Sequence, residues 1–332
     1  MKKLFLSLVF LSLPFITNCR SSIPSGQEQQ TLLAVSPGNT ALILRKMTNG
    51  DYDLIRVSMD TGNFFRVIAQ LPATTSIKQL DADHLLATGP SNVYKLILST
   101  ASVETALDIG AIDIDIDANG NWWLLRSLPN ESSEKTEIWK HDIQTGESLK
   151  IADVSPDPEV KAKKMTVSPD ASTAYILYTP AFKLNDAYVI KIDLQNKTQE
   201  QLVVSAQQPH PNSKISFAAP IALGWTHNGL YGIVSKTAVG FPFTADAWEL
   251  IQVTSAQEQK LILSDVGFVS LFAITGDASK AIMIDARTIY DNSKVTIDIL
   301  ELETGQTNKI QSSIIGDGKT RNYNTLLSCL IE

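Results

Sequence analysis

A strand–turn–strand unit recurs six times along this chain, and no other feature restricts its fold as strongly. Each copy starts with a short apolar run and a tight turn rich in Pro, Gly, Asp and Asn. The turns are Ser36-Pro37-Gly38-Asn39, Asp81-Ala82-Asp83, Asp117-Ala118-Asn119-Gly120, Ser168-Pro169-Asp170-Ala171, Thr226-His227-Asn228-Gly229 and Thr275-Gly276-Asp277-Ala278. A second apolar run follows each turn, as in TALIL (Thr40–Leu44), TAYILY (Thr173–Tyr178) and KAIMI (Lys280–Ile284). A variable connection leads to a third run, such as Tyr52–Val57 or Val295–Leu302. A second tight turn, such as Asp60-Thr61-Gly62 or Glu303-Thr304-Gly305, introduces the fourth. β-branched and aromatic residues dominate the runs, and no long stretch repeats every 3.6 residues, so the units read as strands.

The copies lie 36 to 58 residues apart. Four antiparallel strands per unit of about 40–50 residues is the arithmetic of a β-propeller. The expected fold is therefore all-β, a six-bladed propeller of four-stranded antiparallel blades. A seven-bladed propeller and a β-sandwich are the alternatives, but a sandwich gives no reason for the unit to recur six times. The fourth copy also carries a resemblance. Met165-Thr166-Val167-Ser168-Pro169-Asp170, with Tyr175-Ile176-Leu177 and Tyr188–Asp193 after it, resembles the SPDG-type repeat of TolB-like six-bladed propellers. It is similar to YVTN and WD40-like repeats as well. The resemblance runs over about 31–314, closely only in this copy, and Ala171 stands where the motif has Gly. It implies architecture rather than activity. TolB carries an additional N-terminal domain for which residues 31–332 leave no room, so a role in envelope transport is not implied.

The N-terminus bears on compartment. Lys2-Lys3 precedes a 13-residue apolar run, Leu4–Ile16, too short to span a bilayer and right for a signal peptide. Phe15-Ile16-Thr17-Asn18-Cys19 resembles a bacterial lipobox, with Asn18 where that pattern prefers a small residue. The resemblance implies that residues 1–18 are removed and that Cys19 is acylated. Residues 19–30 are then the lipidated Cys and a polar, flexible tether, and 31–332 a single propeller domain. The expected location is the bacterial cell envelope, held to a membrane by lipid rather than by a spanning helix; a secreted or periplasmic protein is the alternative. The other cysteine, Cys329, then has no disulfide partner in the chain. The net charge of −7, without a basic cluster, excludes nucleic acid as a partner.

Propeller geometry sorts the loops. Turns between strands one and two and between strands three and four share one face; the remaining connections share the other. The long connections, Leu128–Lys135, Pro180–Asp186, Lys236–Asp246 and Ala286–Lys294, fall on this second face, with the inter-blade segments Asp153–Val160 and Ala206–Lys214. Long loops on a rigid scaffold are where binding residues concentrate. Phe241 and Phe243, flanking Pro242, are the candidate contacts there for a protein or glycan.

Catalytic chemistry is not legible. His84, His141, His210 and His227 show no metal spacing, G-x-S-x-G is missing, and no glycine-rich phosphate loop occurs. No catalytic or metal-ligating set and no cofactor are expected. Trp122, Trp123, Trp139, Trp225 and Trp248 fall on or beside strands, where they would pack between blades. Asp113-Ile114-Asp115-Ile116-Asp117-Ala118-Asn119-Gly120 imitates the start of an EF-hand loop, but position twelve from Asp115 is Arg126 and both flanks are strand-like. The stretch is instead a first strand and its turn. Asp115, with Asp113, is expected to point toward the central channel, where water or a single cation would satisfy it. The expected function is binding without catalysis through the long-loop face. The alternatives are a hydrolase or lyase at the channel mouth, and a structural module of an envelope complex.

Overall fold

A computed structural model describes residues 39–128, 135–154, 160–180, 187–202, 204–208, 216–238, 246–253, 258–266, 269–285, 295–314 and 325–332. Its 24 strands form six antiparallel four-stranded sheets. The first blade takes β1 (Thr40–Lys46), β2 (Tyr52–Ser58) and β3 (Phe64–Leu71). The second takes β4 (Ser76–Gln79), β5 (His84–Thr88), β6 (Val93–Ile97) and β7 (Ser102–Leu107). The third is β8 (Asp113–Ile116), β9 (Trp122–Leu128), β10 (Lys135–His141) and β11 (Ser148–Val154). The fourth is β12 (Val160–Val167), β13 (Thr173–Pro180), β14 (Tyr188–Asp193) and β15 (Gln199–Leu202). The fifth is β16 (Ser216–Thr226), β17 (Gly229–Ala238), β18 (Asp246–Val253) and β19 (Gln259–Val266). The sixth is β20 (Leu271–Ile274), β21 (Lys280–Asp285), β22 (Val295–Glu301) and β23 (Gln306–Ser312), and β24 (Thr325–Ile331) ends the chain. The protein is a six-bladed β-propeller.

Ring closure departs from the repeat. The sequence puts the start of the first copy before Asn39, at Leu33–Val35, which lies outside the described residues. Its place beside β1 belongs instead to β24, which pairs antiparallel from Ala41↔Ile331 to Lys46↔Thr325. The last strand is thus the first strand of the first blade. Glu332 fastens the join: its N–H donates to the Thr40 carbonyl at 2.9 Å. Its carboxylate accepts from Thr40 Oγ1 at 2.6 Å and pairs with Arg56 on β2. The six inner strands β24, β4, β8, β12, β16 and β20 touch one another in turn around the channel.

The apolar runs form the ring because both faces of every blade are covered. In β1, Ala41 and Ile43 pack with β21 and β22 of the sixth blade, while Leu42 and Leu44 pack with Ile77, Leu85 and Ala87 of the second. Period-two alternation therefore distributes one strand between two cores, and both are apolar, so the strand reads as an unbroken hydrophobic run. Four further clusters fill the seams from the second blade round to the sixth. Each fully buried Leu or Ile contributes about 1.5–3 kcal/mol. All five tryptophans sit in this packing, as the sequence suggested: Trp123 and Trp248 are buried in seams, Trp122 and Trp139 pack against the seam of blades two and three, and Trp225 packs against that of blades four and five.

The tight turns share one chemistry. Gly120, Ala171 and Ala278 each donate a backbone hydrogen bond to the residue three earlier, Asp117, Ser168 and Thr275. All three occupy the left-handed region, at φ of 80°, 55° and 56°. Glycine adopts this freely; the two alanines do so under strain. The side chain that opens the turn compensates. Ser168 Oγ accepts the Thr173 N–H, and Thr275 Oγ1 accepts those of Ser279 and Lys280.

Candidate functional site

The stretch Asp113–Trp123 folds as β8, a tight turn and β9, paired from Asp113↔Leu125 to Ile116↔Trp122. Asp117 opens the turn and accepts from the Asn119 and Asn121 N–H groups, the Asn121 amide and the Trp123 indole, all within 3.3 Å. Burial pushes its carboxyl up, but these donors outweigh burial and hold it below the ordinary range.

Asp115 is buried, and its four lone-pair sites face four donors. Oδ1 pairs with the Lys78 ammonium of β4 and accepts the Ile116 N–H at 2.9 Å. Oδ2 accepts Thr166 Oγ1 at 3.0 Å and the Val167 N–H at 2.8 Å, both from β12. Asp113 repeats the pattern one pleat along. It accepts the Met165 N–H at 2.8 Å and lies 3.5 Å from Lys164 Nζ, which also donates to Ser76 Oγ at 3.0 Å. The two acids thus belong to the channel wall, and their partners differ from the water or cation that the sequence suggested. Both charges are met by lysines from blades two and four and by backbone N–H groups of β12. Those N–H groups are available because inner strands of neighbouring blades share no backbone ladder. Asp115 has no lone pair left for a metal ion.

The Lys78 side chain is 42% exposed where it meets Asp115. Burial lowers its pKa, but Asp115 close by, with Asp113 behind, raises it above the ordinary lysine value. Beside Lys78 a cavity of about 260 Å3 opens where the tight turns meet. Ile116, Asp117 and Ala118 come from the third blade, Val167 and Pro169 from the fourth, Trp225, Thr226 and His227 from the fifth, and Gly276 from the sixth. The turns are knitted together around it. Ala118 N donates to the Pro169 carbonyl at 3.0 Å, and His227 N to the Gly276 carbonyl at 3.1 Å. The His227 ring nitrogen Nδ1 also lies 3.0 Å from the Gly276 carbonyl, which assigns the proton to Nδ1. The Trp225 indole stacks on Tyr175 with centroids 5.4 Å apart.

This cavity lies on the tight-turn face, opposite the long connections. The latter leave from the other ends of the strands: β17 ends beside the start of β18, with Thr237 paired to Asp246. Residues 239–245 connect them, so Phe241 and Phe243 lie outside the described residues, as do Cys19 and His210. One inter-blade segment is pinned on that face. Glu249, fully buried, pairs with the buried Lys236 at 2.8 Å and accepts the Gln207 and Gln208 N–H groups at 2.6 and 2.9 Å.

The remaining histidines stand apart. His84 caps the second-blade turn against Asp81 at 2.9 Å. His141 packs on Trp122 with centroids 5.0 Å apart, and burial lowers its pKa. Among the described residues, no three His, Cys, Asp or Glu side chains come together as a metal site would require. Cys329 faces the first and sixth blades from β24, and burial pushes its thiol up to about 12, which removes nucleophilic character at neutral pH. Lys78, Trp225 and His227 escape a search for acids and motifs. The one usable signal was Lys78 itself, a lysine on the four-residue strand Ser76–Gln79 that precedes a tight turn.

The same ring of blades occurs in solved structures. A chain of the nidogen/laminin complex matches with a TM-score of 0.55 at 11% identity, over 88% of this chain and 98% of that one. An oligogalacturonate lyase in complex with manganese matches with 0.52 at 12%, over 82% and 73%. An oligogalacturonate lyase from Vibrio parahaemolyticus matches with 0.49 at 11%, over 82% and 79%. At these identities the likeness is one of fold. No family model and no curated protein matches the chain.

Proposed function

We propose that this propeller is a binding protein of the bacterial cell envelope, anchored by lipid on Cys19, that takes a protein or glycan on its long-loop face. The observation that supports binding over catalysis is the state of the channel acids. A general acid or base needs a lone pair or proton free to exchange with substrate. Asp115 has every lone-pair site occupied, and Asp117 is committed to its turn. The lipobox-like Phe15–Cys19 and the polar residues 20–30 support the anchor. The test has two arms. Mass spectrometry of the mature protein should find an acylated Cys19 at its N-terminus, and another first residue overturns the anchor. Trimming 239–245 and 286–294 should remove partners captured by the intact protein; retention of all of them overturns the face.

A second reading, a hydrolase or lyase at the channel mouth, is favoured by one feature: Lys78 and His227 reach a single cavity from different blades. Turnover of a glycan or ester panel that His227→Ala abolishes would establish it.

A further inference from the structure

Three features of the tight-turn mouth point to one ligand chemistry. The first is a donor beside an acceptor. The Lys78 ammonium carries three hydrogens and gives one to Asp115. His227, with Nδ1 on the Gly276 carbonyl, presents Nε2 as an acceptor. A hydroxyl accepts from the first and donates to the second, which neither a carboxylate nor an ammonium can do. The second is apolar wall. Trp225, Ile116, Val167 and Pro169 border the same space, and Trp225 is held in place by Tyr175. The third is charge. Asp115 and Asp117 repel an anion, and Lys78 repels a cation, so a neutral ligand enters at the least cost. The volume, about 260 Å3, is just below the usual range for a drug-sized ligand and suits one ring.

We propose that the tight-turn mouth of the channel is a saccharide subsite that takes one neutral sugar ring, its C–H face on Trp225 and a hydroxyl bridging Lys78 and His227. The site lies on the face opposite the long connections and stands independently of the binding face proposed above.

Isothermal titration of the full chain with neutral methyl glycosides of glucose, galactose, mannose and N-acetylglucosamine tests this. Glucuronate, glucosamine and an acidic tetrapeptide serve as charged comparators. At least one neutral glycoside should bind, and more tightly than every comparator. Trp225→Ala should weaken it at least about tenfold and His227→Ala about fivefold, the loss of one stacking wall and one hydrogen bond. Because Trp225→Ala also removes the Tyr175 contact, Ala118→Trp provides a second check. Ala118 is an exposed turn residue, and the larger side chain should fill the cavity and abolish binding with the melting temperature unchanged. The proposal is overturned if no neutral glycoside binds, if a charged comparator binds more tightly, or if Ala118→Trp leaves the affinity as it was.

Discussion

Blades two to four and blades five, six and one build the same channel wall from different chemistry. In the first half the inner strands β4, β8 and β12 carry Lys78, Asp113, Asp115 and Lys164, and acids on one blade take N–H groups from the next. In the second half the inner strands are small or apolar: Pro220-Ile221-Ala222-Leu223-Gly224 on β16, Leu271–Ile274 on β20 and Leu326-Leu327 on β24. There Gly224 lets the sixth blade approach so closely that a Cβ would stand 2.7 Å from Ile274 Cγ2. Ser328 marks one border between the halves, its hydroxyl accepting the Ile77 N–H at 3.4 Å. Inner strands have no ladder joining them to their neighbours. One half bridges that gap with carboxylates and the other closes it by contact. Bridging depends on each partner and on pH; contact depends on volume.

The largest break in this comparison should come from Asp115→Ala. It leaves the Ile116 and Val167 N–H groups in the wall without their acceptor and should cost about 1–3 kcal/mol for each buried donor left unmet, read as a lower guanidinium midpoint at unchanged slope. A loss below about 1 kcal/mol would mean that the bridges are incidental to the ring. The paired replacement Lys78→Met with Asp115→Leu should restore only the part due to the ion pair, because the Ile116 and Val167 N–H groups stay unmet.

The pH dependence of the charged half follows from Lys78. Its folded pKa is raised above the ordinary 10.5, so its contribution is complete below that value and is lost as pH climbs through the folded pKa. Thermal melts above pH 10.5 should therefore show an added alkaline loss in the native chain that Lys78→Met lacks. An identical alkaline limb in the variant would remove Lys78 from the account.

The matching break in the apolar half is Gly224→Ala. The added methyl meets Ile274 and Phe272, and overpacking of this kind costs about 1–3 kcal/mol. Unlike the loss tied to Lys78, its effect should not grow as pH rises above 10.5.

Three smaller changes should stabilise. Asp298, in the seam between blades five and six, is an ion out of place. Burial raises its pKa; Lys309, 3.5 Å away, opposes this without reaching Oδ1 as a hydrogen bond and is itself 2.8 Å from Asp265. A carboxyl with a raised folded pKa costs stability once ionised. Asp298→Asn should therefore gain about 1–2 kcal/mol at pH 7, a gain that shrinks as pH falls toward about 3.9 and the native carboxyl protonates. Ala171→Gly and Ala278→Gly, one in each half, should each gain about 0.5–1 kcal/mol by relieving a left-handed alanine. Equal gains would show that the turns behave alike while the channel walls differ.

Blade number, strand order within a blade and the sorting of turns to one face were all legible, because each is a local rule repeated: alternation, turn chemistry, connection length. Ala171 shows how far such rules reach: the sequence placed it where the SPDG motif has Gly, and the structure makes that position left-handed. The partners of Asp115 were not legible. Lys78 lies 37 residues before it and Val167 52 after it, and no local pattern joins them. The same holds for Glu249, whose donors Gln207 and Gln208 belong to another blade's exit.

The sequence by itself determined a ring of six four-stranded blades with Asp115 on an inner strand, because strand period and turn residues act over a few neighbours. Only the tertiary structure decided that β24 completes the first blade. It alone placed Lys78 against Asp115 and opened the cavity beside Trp225 and His227 on the face of tight turns. These depend on which strands become neighbours when the ring closes, and closure joins residues across the whole chain through contacts that no local spacing encodes.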